Sequence, residues 1–478
     1  MTLSVATSSA EMQRLDAARE GWKPVQVTVC GGGNGAHVTA GFLASRGIRV
    51  NVFTRQSKRW GDSITLSTKG SSWEKRGTVT GRLNLVTGDA SQACAGSEVV
   101  IIAAPANAHP DLLRAIAPFI DEGAAVGALF AQGGFDWACM HSMGSHVNRV
   151  GCLFGLQNIP WICRIDEYGK SAIIVGPKKQ LYVASYPVEQ RDEMALRVEA
   201  MFDIPCGTVP NFLNLTLTPS NQILHPARYY GIFWDWDGSK TYSKAELAER
   251  KGLTLYDNFD EFSAETLAAI DNELQQIKLA LLQRFPQLDL SSVFPIGQRV
   301  KLHYGDDVAD TSSLKQIFCS NIGYKGCPTP LKEVSPGRFG PNVDTRLFWE
   351  DIPFGLCILK NLAEMLGNFP TPTMDFLIRW HQKPMGLQFL TPDGQLNPQL
   401  LERTGAPYKY GIHCLEVRLC VCFLSSGIDR ADRCIGVRTH ECPRLCRAFY
   451  TLCLVLSVRP GYPRTPRVPI RLDMPHDA

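Results

Sequence analysis

The sequence predicts an α/β N-terminal domain followed by a mostly α-helical C-terminal domain. Residues 25–53 follow the order strand, glycine-rich turn, helix and strand. Further short apolar runs, typical of buried strands, follow as far as residue 175. Beyond about Asn211 the apolar spacing becomes helical. Strands followed by helices indicate two domains with a cleft between them.

The first strand and the turn after it are the most informative stretch of the chain. Val25, Val27 and Val29 alternate with polar residues, which is typical of a strand. The turn has the form G-x-G-x-x-A, whose glycines permit a tight bend and the approach of a pyrophosphate. It predicts a Rossmann-type dinucleotide site, and an ordinary glycine-rich turn is the alternative. The candidate cofactor-binding residues are Gly31, Gly32, Gly33, Asn34, Gly35 and Ala36.

The end of the second strand bears on the choice between NAD(H) and NADP(H). An acidic residue at this point would hold the ribose of NAD. Here Phe53 is followed by Thr54 and Arg55, with Lys58 and Arg59 close behind. Because arginine can accept a 2′-phosphate, these residues by themselves favour NADP. Arg55 is therefore a further candidate cofactor contact.

The remaining elements follow from the apolar pattern. In the first domain we expect strands at 98–105, 124–130, 150–156 and 171–175, and helices at 111–120 and 190–202. In the second we expect a long amphipathic helix at 260–285 and shorter helices at 355–366 and 374–382. The stripe of the long helix consists of Leu267, Ile270, Leu274, Ile277 and Leu281.

The 478 residues exceed one typical core, so two domains are expected. The predicted boundaries are a polar extension over 1–24, an NAD(P)-binding Rossmann domain over 25–205 and a helical substrate domain over 206–416. Residues 417–478 form an atypical tail with ten arginines, five acidic residues, six cysteines and no lysine. Residues 1–416 therefore carry 39 basic and 41 acidic side chains, so the net charge of +3 comes from the tail.

We interpret this tail as the product of a retained intron or a frame error after about Glu416, or as a disordered segment. A genuine basic, cysteine-rich appendage is the alternative. Transcript sequencing across the Glu416 codon tests the interpretation, since one continuous exon through the tail would exclude it.

The composition also argues against several classes of partner and of cellular location. The small net charge and the lack of a basic stripe with aromatic residues argue against a nucleic-acid partner. No apolar run approaches 18 residues, and the first 24 residues contain acidic residues and no apolar core, so neither a membrane span nor a secretory signal is expected. The nine cysteines up to Cys357 show no metal-ligand spacing and are expected to be reduced, mostly buried thiols. A cytoplasmic protein without a metal site is expected, with the oligomeric state left open.

Three further segments carry residues suited to catalysis. Residues 224–231 contain His225 directly before a proline, and the sequence Trp-Asp-Trp-Asp-Gly follows at 234–238. Residues 345–355 contain Arg346, Glu350 and Asp351. Residues 159–169 begin Ile-Pro-Trp and include Arg164.

Together with the glycine turn, these segments make the chain similar to the octopine/nopaline (opine) dehydrogenase family. The resemblance extends from about Val25 to Glu416, and Gly326 and residues 410–413 also fit it. It implies an oxidoreductase that condenses an amino acid with a 2-oxo acid such as pyruvate and reduces the resulting imine with a nicotinamide cofactor. Animal members commonly use NAD whereas Arg55 favours NADP, so the cofactor is NAD(H) or NADP(H).

The resemblance also implies roles for single residues. His225 matches the group that moves protons, a task suited to histidine near neutral pH. Asp351 matches the carboxylate that orients this imidazole, and Arg346 matches a cation that binds an anionic substrate. Gln132, at a strand end, is a further candidate substrate contact. The alternatives are a structural ion pair of Arg346 with Glu350 and an N-cap role for Asp351.

Two questions about substrate and activity stay open. The neutral pair Gln157-Asn158 favours a small uncharged amino acid such as alanine or glycine over arginine. Another two-domain 2-oxo-acid or hydroxy-acid dehydrogenase of ketopantoate reductase type is the alternative enzyme. A catalytically inactive nucleotide-binding protein is the alternative outside enzymes, if the tail replaces a segment that completes the helical domain.

Overall fold

The computed structural model describes residues 24–413 and Leu415. These residues lie within one compact unit of the chain, Met1–Gly427. The polar extension, apart from Pro24, and the tail at 417–478 with both of its interpretations lie outside the described residues. The domain boundary at residues 205 and 206 stays a prediction.

The first half of the described chain is α/β. Its helices, in chain order, are α1 Asn34–Ser45, α2 Ala90–Cys94, α3 His109–Ile116, α4 Phe135–Met143 and α5 Arg191–Phe202. Its strands are β1 Gln26–Cys30, β2 Arg49–Phe53, β3 Ser63–Ser67, β4 Thr78–Arg82, β5 Leu85–Thr87, β6 Val99–Ile102, β7 Ala125–Ala128, β8 Cys152–Leu156, β9 Trp161–Glu167, β10 Ser171–Pro177, β11 Leu181–Tyr186 and β12 Cys206–Thr208.

The main sheet has the strand order β12-β11-β8-β7-β6-β1-β2-β5. Strand β1 pairs in parallel with β2 on one side and with β6 on the other. The segment β5-β2-β1-β6-β7-β8 is the strand order of a Rossmann fold, and the order reverses between β1 and β6. Ligands of such sheets bind at the carboxyl ends of the strands next to this reversal. The predicted Rossmann-type domain is therefore confirmed.

A second sheet, which the sequence pattern did not reveal, has the order β4-β3-β10-β9. It packs on α1, whose residues Ala36 to Leu43 are all buried. Gly81 of β4 lies so close to α1 that a Cβ atom there would stand 2.2 Å from the carbonyl oxygen of Gly41. Only β10 was expected, because β3 and β4 are short and alternate buried with half-exposed or exposed residues. The second sheet leaves α1 with no solvent-facing stripe.

The second half of the described chain is mostly helical, as expected. The stripe of the predicted long helix is confirmed, with all five of its apolar residues fully buried in Glu261–Arg284. The antiparallel hairpin β13 Leu331–Ser335 and β14 Arg338–Pro341 was not predicted. The helices are α6 Phe212–Thr216, α7 Asn221–Phe233, α8 Lys244–Glu249, α9 Glu261–Arg284, α10 Ile296–Tyr304, α11 Leu314–Ser320, α12 Arg346–Trp349, α13 Cys357–Met365 and α14 Pro372–Gln382.

One hydrophobic core joins the main sheet to these helices. Phe135 of α4 and Leu153 of β8 belong to the same buried cluster as Leu215 of α6 and Ile223 of α7. This packing fixes α7 against the sheet. Among the described residues, no helix is long and apolar enough to cross a bilayer. The nine described cysteines are free thiols, and most of them are buried.

Candidate active site

The glycine turn after β1 has the shape that a dinucleotide requires. Gly31 adopts φ 145°, and a Cβ atom there would stand 2.4 Å from the carbonyl oxygen of Ala103. Gly33 faces open space and precedes α1 without a capping side chain, and the first turn of α1 carries no acidic residue. The N–H groups at the start of α1 are thus available to an anion. Buried Ala36 is small enough for α1 to approach the sheet.

Neighbouring side chains hold this turn in place. The Asn34 carboxamide oxygen accepts a hydrogen bond from the Ile165 N–H of β9 (2.9 Å). The His37 Nδ1 lies 2.9 Å from the Gly33 carbonyl oxygen, and its Nε2 accepts a hydrogen bond from the Gly169 N–H (2.8 Å). Because this ring is buried, its pKa is lowered and it stays neutral. Asn34 and His37 therefore attach the second sheet to the turn.

His225 lies inside α7 and makes two hydrogen bonds through its ring. Its Nδ1 is 2.7 Å from Oδ2 of Asp351, and its Nε2 is 2.7 Å from the hydroxyl of Tyr256. The imidazole is 4% exposed and the aspartate is fully buried. Because an ionised carboxylate only accepts hydrogen bonds, Nδ1 must carry a proton. Nε2 is then the ring atom that can take up or release a proton.

Asp351 does not serve as the N-cap that was considered as an alternative. A π-helical turn, Ile352–Leu356, follows it, but the carboxylate makes no capping hydrogen bond. Its Oδ2 is bound to the ring of His225, while its Oδ1 is buried without a hydrogen-bond partner among the described residues. The side chain is therefore committed to His225.

Arg346 forms the ion pair with Glu350 that was considered as an alternative. Its Nε is 3.2 Å from Oε2 of Glu350, yet its side chain stays 39% exposed. The neighbouring carboxylate of Glu350 raises the pKa of the guanidinium. Burial raises the pKa of Glu350, and Arg346 opposes this effect. The arginine is therefore a fixed cation that is still open to a ligand.

Glu350 also links the helical half of the chain to the sheet. Its Oε1 accepts a hydrogen bond from the N–H of Ala106, in the loop after β6 (2.9 Å). Gly133, in the loop after β7, lies against the same segment, and a Cβ atom there would be in van der Waals contact with the carbonyl oxygen of Phe354 (3.4 Å). The segment that carries Arg346 and Asp351 thus lies against the carboxyl ends of β6 and β7. This is the edge at which the fold places its ligands.

Tyr256 is a site residue that the sequence analysis missed. The pKa of its hydroxyl is raised well above the usual value, mainly by burial, so the group stays protonated. It therefore donates to the unprotonated Nε2 of His225. Its ring lies 4.7 Å from the ring of Tyr324, two residues before Gly326, which fits the family resemblance. A tyrosine in an irregular loop has no periodic signal, so only the fold reveals it.

Gln222, one turn before His225 on α7, was also missed. It is fully buried, and neither its Oε1 nor its Nε2 has a hydrogen-bond partner among the described residues. Leaving one such group unpaired costs about 1–3 kcal/mol. A polar substrate atom or a water molecule that reached this amide would remove that cost.

The amides near the strand ends are engaged within the protein. Gln132, 2% exposed, donates from Nε2 to the Gln157 carbonyl oxygen (2.5 Å) and accepts from the Ser220 N–H (2.9 Å). Gln157 donates to the hydroxyl of Thr218 (2.9 Å), and Asn158 bonds the ring of His303 (2.7 Å). These bonds join the ends of β7 and β8 to the start of α7. The substrate contact of Gln132 stays a prediction.

Comparisons with known proteins agree with this architecture. The family model described as "NAD/NADP octopine/nopaline dehydrogenase, alpha-helical domain" matches residues 208–385. Octopine dehydrogenase of Pecten maximus is 32% identical over 83% of this chain and 98% of its own length. Tauropine dehydrogenase of Arabella iricolor is 29% identical over 82% of this chain and 99% of its own. A solved octopine dehydrogenase structure with NADH and L-arginine has 30% identity and a TM-score of 0.70, covering 83% of this chain and 98% of its own.

Proposed function

The chain belongs to the octopine/nopaline (opine) dehydrogenase family, and on this premise we propose that it joins an amino acid to a 2-oxo acid by reductive condensation. The enzyme is a nicotinamide-dependent dehydrogenase. The finer assignment is that it acts on a CH–NH bond, with pyruvate or a similar 2-oxo acid as the carbonyl substrate. The observation that carries this proposal is the buried Asp351–His225–Tyr256 arrangement at the sheet edge next to the glycine turn.

The proposed reaction has two balanced steps. The amino group of the amino acid attacks the ketone carbon of the 2-oxo acid, and loss of water gives an imine. When bound, the reduced nicotinamide supplies the hydride that converts the imine carbon to a CH group. The imine nitrogen, which carries no proton after the loss of water, takes up one proton and becomes the secondary amine of the product. Both steps therefore require the transfer of protons.

The proton movements are assigned to His225. Asp351 accepts the hydrogen bond from Nδ1, so Nε2 is the ring atom that exchanges a proton with the substrates. An imidazole fixed in this way suits general acid–base catalysis near neutral pH. The carboxylate of Asp351 stabilises the imidazolium that forms when Nε2 takes a proton. His225 thus acts on the carbonyl oxygen or on the amine of the bound substrates.

Substrate carboxylates are assigned to Arg346. The ion pair with Glu350 keeps Arg346 in place, and in our proposal its half-exposed guanidinium binds the ligand. Guanidinium and carboxylate match in a planar, two-bond geometry. Each hydrogen bond of this charged type contributes roughly 1.5–3 kcal/mol. The unpaired amide of Gln222 is a second polar group for the substrate.

The experiment that tests the proposal combines each of a set of amino acids with pyruvate. The reaction is monitored at 340 nm through the oxidation of NADH or NADPH. The expected result is turnover only when both pyruvate and an amino acid are present. Because positions 157 and 158 carry amides and offer no carboxylate to a guanidinium, we predict that alanine or glycine outperforms arginine. Turnover with a 2-oxo acid alone would replace the proposal by a 2-oxo-acid or hydroxy-acid dehydrogenase. Nicotinamide binding without turnover in any pair would indicate an inactive nucleotide-binding protein.

Replacing Tyr256 with phenylalanine is expected to lower kcat by about tenfold while leaving the affinity for the nicotinamide cofactor unchanged. The change removes one hydrogen bond to Nε2 of His225 and keeps the aromatic packing, and a net loss of about 1.4 kcal/mol corresponds to a factor of ten. The measurement is steady-state kinetics together with a cofactor titration. Tyr242→Phe serves as the control, because this buried tyrosine bonds Asp235 instead. An unchanged kcat in Tyr256→Phe would remove Tyr256 from the mechanism.

A further inference from the structure

The turn after β2 carries a cluster of basic side chains that the proposed reaction does not use. Residues 54–59, which we term the basic turn, contain Arg55, Lys58 and Arg59 and no acidic residue. We propose that Arg55 and Lys58 bind the 2′-phosphate of NADPH, so that the enzyme prefers NADPH to NADH. This inference rests on the proposed function, because it concerns the cofactor of the same site.

The basic turn lies beside the glycine turn. The N–H of Gly31 donates to the carbonyl oxygen of Phe53, the last residue of β2 (2.9 Å). A Cβ atom at Gly32 would stand 2.8 Å from Oγ1 of Thr54. In a Rossmann fold, the pyrophosphate lies on the glycine turn and the adenine ribose reaches the end of the second strand. The basic turn therefore begins where the 2′-position of the ribose is expected.

Among residues 24–413, no acidic residue directly follows β2 to bind the two ribose hydroxyls of NADH. The position directly after the strand is Thr54, whose side chain is almost fully buried beneath the glycine turn. The neighbouring loop after β5 does contain an acid, Asp89. Its carboxylate accepts from the N–H (2.9 Å) and the hydroxyl (2.7 Å) of Ser91 and caps α2. The first position after β2 therefore lacks the acidic residue that usually binds the ribose of NADH.

The cations of the basic turn differ in their contacts. Arg59 donates to the side-chain oxygen of Gln56 (2.8 Å) and lies over the ring of Tyr168 at 4.2 Å. Arg55 and Lys58 are exposed, and neither makes an ion pair with any acidic side chain of residues 24–413. Three like charges within five residues repel one another. A phosphate monoester, which carries about −1.5 to −2 charges near neutral pH, would offset this repulsion.

The test is a fluorescence titration of the full chain with NADPH and NADH at low and high salt. We expect NADPH to bind about 10- to 100-fold more tightly, the range given by one strong charge-assisted hydrogen bond. We also expect 2′,5′-ADP to displace it better than 5′-AMP does. The preference should shrink at high salt, because exposed charges are screened.

Two variants assign the preference to these residues. Arg55→Ala and Lys58→Ala should each weaken NADPH binding about tenfold and leave NADH binding unchanged. Unchanged NADH binding also reports that the variants are folded. The matched control is Arg49→Ala, an exposed arginine at the opposite end of β2, which should alter neither affinity.

The outcomes separate this inference from the proposed function. Equal or tighter binding of NADH, or an Arg55→Ala variant that keeps the full NADPH preference, overturns the inference and leaves the opine dehydrogenase proposal standing. Failure of the chain to bind either nucleotide overturns both. NADPH-selective binding without turnover in the substrate matrix supports the inference and counts against the proposed function.

Discussion

An alanine in place of His225 is expected to lower kcat by about 10²- to 10⁴-fold, the usual contribution of a general acid–base group. The nicotinamide affinity should stay nearly unchanged, because the glycine turn and His225 lie on different elements, one after β1 and one within α7. The measurement pairs the turnover of the active amino acid and pyruvate with a cofactor titration by fluorescence.

A partly buried histidine outside the site provides the control for this variant. His146 lies in the 3₁₀ segment Gly144–Arg149, outside the site, and His146→Ala should retain full turnover. Because His225 is buried, the melting temperature of the alanine variant must be measured as well. Turnover within a few-fold of the original enzyme in a folded His225→Ala variant would refute the role assigned to this residue.

Changing Asp351 to asparagine is the second large effect. We expect kcat to fall by roughly 10²- to 10⁴-fold. An amide can stabilise the wrong tautomer of the imidazole, and it cannot stabilise the imidazolium. The size and shape of the side chain are preserved, so the melting temperature should change little. The KM for the cofactor should also stay unchanged, because the substitution affects only the group that transfers protons.

The control for Asp351→Asn is Asp344→Asn. Asp344 lies on the same segment but is 67% exposed and pairs with Lys332 at the surface. Exposed pairs of this kind contribute at most about 1 kcal/mol, so full activity is expected. A loss of activity that follows the melting temperature in Asp351→Asn would reveal a merely structural residue. A kcat loss at unchanged stability supports the positioning role.

The local patterns of the sequence predicted the elements that have a regular apolar period. The strand, glycine turn and helix at 25–45 and the amphipathic helix Glu261–Arg284 lie where expected, because burial imposes a period of two or 3.6 residues on any stretch of chain. The second sheet was missed, since its edge strand β4 is mostly exposed and contains glycine. The π-helical turn Ile352–Leu356 was not predicted, since the sequence analysis expected a helix only from residue 355.

The candidate site shows a similar division. His225, Asp351 and Arg346 were chosen through a resemblance, and the alternatives for them were open until the contacts were known. The fold shows that the carboxylate of Asp351 is bound to His225, and that Arg346 pairs with Glu350 while remaining partly exposed. Tyr256 and Gln222 had no signal in the sequence, because their importance lies in which atoms surround them.

By itself, the sequence determined a dinucleotide-type turn, a Rossmann domain joined to helices, and a basic turn after Phe53. Each of these features depends on the type and spacing of residues that lie close together in the sequence. The tertiary structure alone decided that the imidazole of His225 meets a carboxylate 126 positions away, and that Glu350 bonds the loop after β6. Such contacts depend on how α7 and the segment after α12 pack against the main sheet, and long-range packing leaves no local pattern in the sequence.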